Sequence, residues 1–285
     1  MSHNNYNHQI NGPFDKNHSI PPPFPNQKPQ LTLTHKKKTK LEDLHNEKFF
    51  PPYSKLPRTN DLALEYYDFY RTEDGPMWAP RKHWCFLAEI LVVKQKSPTC
   101  PFSVIVRDKE GQKCEIFFDT DDHGEYFRCC RWKRGDSIAV LYQHRGDTDP
   151  TDEARKLVMD PEDIERQRER EKNEKMQLSL DMSFLIRGIR SSLEGLFRLN
   201  EKVRFFAKKT RGMRRCHGCD RLKAGLKTCA KCGFFWYCNE NCQSIGWMEK
   251  GHKEDCQLLR DCDLQEMFEM DWNSYCCYKK FPLRR

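Results

Sequence analysis

A chain of 285 residues with 37% hydrophobic and 32% charged side chains has room for one or two modest domains and their linkers, and is too lean in apolar residues for one large core. No run approaches the roughly 18 apolar residues a membrane span needs, and the polar start lacks the basic-then-apolar order of a secretory leader. The formal net charge of +8 comes from interleaved Lys, Arg, Asp and Glu, so it produces no strong global field and by itself selects no partner.

The 15 cysteines are disulfides, metal ligands or small core residues, and the compartment decides between the first two. With neither leader nor span, a reducing compartment is expected: intracellular, nuclear and/or cytoplasmic, with no membrane partner.

Residues 1–60 are rich in Asn, His, Pro, Gln and Lys, including Pro21, Pro22, Pro23, Pro25 and Pro29. Such composition buries too little apolar surface to offset chain entropy, so this segment reads as a disordered arm. Lys36, Lys37, Lys38 and Lys40 form either a solvated charge run or a nuclear import signal. His3, His8, His18 and His35 lack ligand spacing.

Over residues 80–160 the texture changes to β-branched and aromatic runs: Trp84 to Val93, Phe102 to Val106, Cys114 to Phe118 and Asp136 to Tyr142, with Arg155 to Met159 as a candidate fifth. Asp108 to Gly111 reads as a hairpin turn, and Gly124 to Arg131 as a short helix. The expected fold class is α+β, with these strands closing into a small antiparallel barrel, of which an OB-like fold is one form. A barrel of that kind stacks single strands on aromatics such as Trp84, Phe117, Trp132 or Tyr142, whereas alternating strands usually keep such rings in the core.

Residues 161–210 are expected to be a helical connector. Its first part, to Lys175, is almost entirely charged; beyond it Leu178, Leu180, Phe184, Leu185, Ile189, Leu193, Leu196 and Phe197 recur at helical intervals and mark one apolar face. Residues 257–285, with Leu264, Met267, Phe268 and Trp272, read as a helical tail that docks back on a domain.

The most informative stretch is Cys216-x2-Cys219-x9-Cys229-x2-Cys232-x5-Cys238-x3-Cys242-x9-His252-x3-Cys256. Eight soft donors in four close pairs supply two tetrahedral zinc sites. The pairs can be shared sequentially or alternately. Because Cys238-x3-Cys242 and His252-x3-Cys256 each set their donors one helical turn apart, spacing favours alternation. Cys216, Cys219, Cys238 and Cys242 then hold one ion, and Cys229, Cys232, His252 and Cys256 the other. Both ions are structural, since four protein donors leave no open position for water or substrate.

With Trp236-Tyr237-Cys238-Asn239, Cys242-Gln243-x3-Trp247 and Gly251-His252-Lys253-x2-Cys256, residues 216–256 resemble the MYND zinc finger. The resemblance implies alternating two-zinc ligation and recognition of short, often proline-containing peptides, with Gln243 and Trp247 as peptide contacts on the first helix. Met248 to Gly251 make the gap between Trp247 and His252 slightly longer than is usual in that family. A looser resemblance links the strand-rich region followed by a finger to uncharacterised fungal MYND proteins.

The leading expectation is therefore a non-enzymatic protein-protein adaptor, with transcriptional regulation implied by the family alone. A bound peptide is expected to add as a strand beside Phe234 to Tyr237. The alternative is a nucleic-acid-binding protein using the barrel and the basic residues Arg214, Arg215, Arg221, Lys223, Lys227, Lys231, Lys250 and Lys253. A MYND-containing lysine methyltransferase is a third reading, against which the chain shows neither the cofactor-binding nor the catalytic motifs of a SET domain. Cys85, Cys100, Cys114, Cys129, Cys130, Cys262, Cys276 and Cys277 lack ligand spacing and are expected mostly to be buried.

Overall fold

The computed structural model describes residues 41–58, 63–72, 75–94, 102–118, 130–145 and 185–283. The N-terminal part of the expected arm, the helix over 124–131, the candidate strand at Arg155 to Met159 and the charged helix up to Lys175 lie wholly or mostly outside these residues.

Four of the expected strands form where β-branched and aromatic residues cluster: β3 (Cys85–Lys94), β4 (Phe102–Asp108), β5 (Lys113–Phe118) and β6 (Ser137–Leu141). Ahead of them β1 (Tyr67–Thr72) and β2 (Gly75–Pro80) pair as a separate hairpin. The β4–β5 connection is shaped by Asp108, whose buried carboxylate accepts from the Glu110 and Gln112 amides while Gly111 takes φ +85°. That left-handed geometry is open to glycine at little cost.

The expected barrel is not found. The strands make an open antiparallel sheet in the order β5-β4-β3-β6-β7, in which β7 is Ile186–Ile189. Part of the stretch expected to be helical thus supplies the fifth strand. Ile186 and Ile189 are buried there by pairing with β6, and the helical period begins only at α1 (Leu193–Ala207). The sheet has no need to close on itself because other segments cover it. Every residue of β6 is buried, which requires cover on both faces.

Part of that cover comes from residues 41–58, which the sequence placed in a disordered arm. Leu44, Phe49, Phe50 and Leu56 are each at most 2% exposed, and the Cys85 amide donates to the Phe49 carbonyl. The tail adds α4 (Cys262–Glu269) and the fully buried Trp272, whose ring meets Phe50 edge-on at 4.6 Å. The tail's Tyr278 ring meets Tyr142 at 4.9 Å, and the Lys279 amide donates to the Tyr142 hydroxyl.

α1 ties the layers together. Ser192 caps it by accepting from the Gly195 amide at 3.1 Å, satisfying one of the orphan donors of its first turn. Its buried face carries Leu193, Leu196, Phe197, Leu199, Val203 and Phe206. Asn200, at 0% exposure, accepts from the Leu44 amide at 3.1 Å and donates to the Glu42 carbonyl at 3.0 Å. The Glu42 amide in turn donates to the Phe268 carbonyl. One amide side chain therefore joins the N-terminal segment to α1 beside the tail.

Asn200→Ala leaves the buried Leu44 amide and the half-buried Glu42 carbonyl without this partner, and is expected to destabilise the fold by about 2 kcal/mol, read as a lower urea midpoint at unchanged slope. Acid is expected to destabilise it too. Burial, then the Lys279 charge, lowers the pKa of His83 from 6.5 to about 4, so the folded state holds this imidazole neutral. Its contribution is complete above pH 6.5 and is lost as pH falls through about 4, on the order of 3 kcal/mol. Urea titrations across that range should show this slope, and His83→Gln should reduce it, the remainder belonging to the similarly depressed His144 and His217 and to the metal ligands.

Candidate metal centre

From the end of α1 the chain runs into four two-residue strands: β8 (Arg214–Arg215) with β9 (Leu222–Lys223), and β10 (Lys227–Thr228) with β11 (Trp236–Tyr237). Two short helices follow, α2 (Glu240–Met248) and α3 (His252–Leu258). A module this small builds little core of its own. Its eight donors converge instead.

Cys216, Cys219, Cys238 and Cys242 form one group and Cys229, Cys232, His252 and Cys256 the other, the donor atoms of each group lying within 4.8 Å of one another. This is the alternating arrangement. The Cys219 and Cys238 sulfurs are 3.7 Å apart, those of Cys229 and Cys256 3.9 Å, and Cys232 Sγ lies 3.4 Å from His252 Nε2. A tetrahedral ion about 2.3 Å from sulfur and about 2.0 Å from nitrogen spaces its donors by roughly 3.8 Å (S to S) and 3.5 Å (S to N). The residues present fit such an ion.

Local structure explains the donor positions. Asn239 caps α2 by accepting from the Cys242 amide at 3.0 Å, so the first turn of the helix carries the ligand. Gly218 is forced by close approach: a Cβ there would lie 2.3 Å from the Cys242 carbonyl oxygen. The lengthened junction after Trp247 is resolved by Gly251, which at φ +70° turns the chain between α2 and α3.

Electrostatics favours a bound cation. Burial opposes ionisation of Cys216, yet the amides of Cys219, Cys238 and Gly218 outweigh it and bring its pKa down to about 7. At Cys232, burial and then the backing charges of Cys229 and Cys256 push the pKa up to about 12. A divalent ion supplies the positive charge that lets neighbouring thiols ionise together.

Behind the ligands, His252 Nδ1 and the Tyr237 hydroxyl are hydrogen-bonded, and that hydroxyl lies 3.2 Å from His217 Nδ1. With Nε2 facing the metal group, Nδ1 carries the hydrogen and donates to Tyr237, which orients the ring. Tyr237 then donates to His217, whose buried Nε2 has no partner among the described residues. Burial, followed by the Lys202 charge, drops the His217 pKa to about 3. Its neutral ring packs 4.7 Å from Phe206 of α1 and 4.3 Å from Phe235, joining the finger to the helix that carries it.

Residues 216–256 match the family model described as MYND finger. This segment is a MYND finger. No curated protein and no solved structure matches the chain.

On the finger, Gln243 is exposed and Trp247 half-buried, four residues apart on α2 and therefore on one face. Trp247 packs edge-on to His252 at 5.5 Å, and Lys231 Nζ lies 5.7 Å from its ring centre. The docking edge expected beside Phe234 to Tyr237 is not open: all four residues are buried, Phe235 O accepts from the Cys229 amide, and Trp236 O accepts from the His217 amide. Of this strand pair the exposed residues are Lys227 and Thr228 of β10, which pairs only with β11 among the described residues. Sequence reasoning missed this edge because a two-residue strand has no periodicity to read.

Of the aromatics considered for base stacking, Trp84 and Tyr142 are core residues and Trp132 is half-buried against the core. The non-ligand cysteines are less buried than expected: Cys85 is in the core, whereas Cys130, Cys262, Cys276 and Cys277 are exposed.

Helix propensity favours alanine over glycine by about 1 kcal/mol, but at Gly246 the sign should reverse. A Cβ there would meet Tyr237 Cε1 at 2.6 Å and His217 Nδ1 at 3.0 Å. Gly246→Ala is expected to destabilise the finger by about 1–3 kcal/mol, seen as release of metal to a colorimetric chelator at lower chelator concentration than for the native chain.

Proposed function

We propose that this chain is a non-catalytic adaptor whose finger, folded around two structural zinc ions, captures an extended, proline-containing peptide of a partner protein. The observation that carries this reading is the pair of four-donor clusters that fix α2 and α3, with exposed Gln243 and half-buried Trp247 on one face of α2. Four protein donors per ion leave no position for substrate, so the metal supplies folding energy on the order of 10 kcal/mol or more and no chemistry.

The outer edge of β10 offers main-chain hydrogen bonds to an added strand, and the Trp247 ring offers an apolar face to proline. A nuclear or cytoplasmic setting is supported by the 13 described cysteines, none of which is in a disulfide and seven of which are the proposed zinc donors. Among the described residues no helix is long and apolar enough to cross a membrane. A role in transcriptional regulation rests on the family alone.

Elemental analysis of the purified chain is expected to return two zinc ions per molecule, matching the two donor groups. Trp247→Ala should keep both ions and the native circular dichroism yet abolish peptide capture in a fluorescence-polarisation assay. Equal capture by this variant would refute the groove.

A further inference from the structure

The charge along the segment that leads into the finger's open strand edge is one-sided, whereas α2 carries Glu240. From Lys202 to Lys231 the chain carries 11 Lys or Arg residues and a single acid, Asp220. Lys202 pairs with Asp255, Arg204 with Asp43, and Asp220 with Lys250. Among the described residues no carboxylate pairs with the other nine. The thiolates offset part of this charge, but most of their sulfurs lie inside the finger.

Three of these nine sit around the proposed groove. Lys227 is exposed on β10 itself, Lys231 leans over the Trp247 ring, and Lys223 is exposed on β9 four residues before Lys227. Arg214, opposite Lys223, stacks 4.2 Å over Trp236, and Trp236 faces Thr228 across the β10–β11 pair. The basic side chains thus flank a backbone edge whose adjoining side chains are exposed. A strand edge bonds a polypeptide backbone and not a sugar-phosphate chain, so this pairing of edge with cations selects a peptide over a nucleic acid.

We propose that the peptide held on β10 beside Trp247 carries Asp or Glu residues flanking its apolar anchor, and that Lys223, Lys227 and Lys231 read those carboxylates. This rests on the groove described under Proposed function and adds the chemistry of its partner. Exposed charge pairs of this kind set specificity and association rate and weaken with salt.

The test is a selection of phage-displayed random 12-residue peptides on the full-length, zinc-loaded chain, followed by titration of selected peptides. Asp and Glu are expected to be enriched beside the anchor. Binding should weaken roughly tenfold between about 0.05 M and 0.5 M salt, and should fall about tenfold or more in the Lys223→Gln, Lys227→Gln, Lys231→Gln variant with zinc content unchanged. Selected peptides without acidic excess, or equal affinity for the triple variant, overturn the proposal. If Trp247→Ala still abolishes their binding, the groove itself survives. Selection of no peptide at all overturns both, and if poly(U) then binds the native chain but not the triple variant, the lysines serve nucleic acid instead.

Discussion

Convergence of eight donors on two points is the constraint from which the rest of the finger follows. Strands of two residues and helices of seven and nine residues cannot hold themselves in place by burial alone. Crossing the pairs, so that each cysteine knuckle shares an ion with a helical turn later in the chain, closes both loops at once. That closure brings Gly218 against the start of α2 and seats Gly246 over Tyr237. Both contacts admit no side chain.

The ligand shell also reaches outward. His252 leans on Tyr237, Tyr237 on His217, and His217 lies between Phe206 and Phe235. Orientation of a metal ligand and attachment of the finger to α1 are therefore one packing arrangement. Phe234 extends it to the tail by meeting Phe268 edge-on at 6.2 Å, and the Phe268 carbonyl receives the Glu42 amide. The finger, α1, α4 and residues 41–58 form a continuous set of contacts around the open sheet.

Much of this was legible in the chain because the signals were local. Strands β3 to β6 lie where β-branched and aromatic runs placed them, and the Asp108 to Gly111 turn follows from an Asx-type acceptor and a glycine three residues later. Failures came where a local pattern admitted two environments. Leu185 and Ile189 fit a helical stripe as well as the end of a buried strand, and β6 decided between them. Phe49 and Phe50 lie in a Pro- and Lys-rich context that reads as disordered, yet a sheet face and Trp272 give them somewhere to be buried.

The sequence by itself determined the donor set and its pairing preference, because metal chemistry demands particular side chains at particular short spacings. Only the tertiary structure decided that the sheet stays open, that residues 41–58 belong to its core, and that the finger's exposed edge is β10 and not β11. Those outcomes depend on which distant segments cover which surface, and a covering segment leaves no mark in the residues it covers.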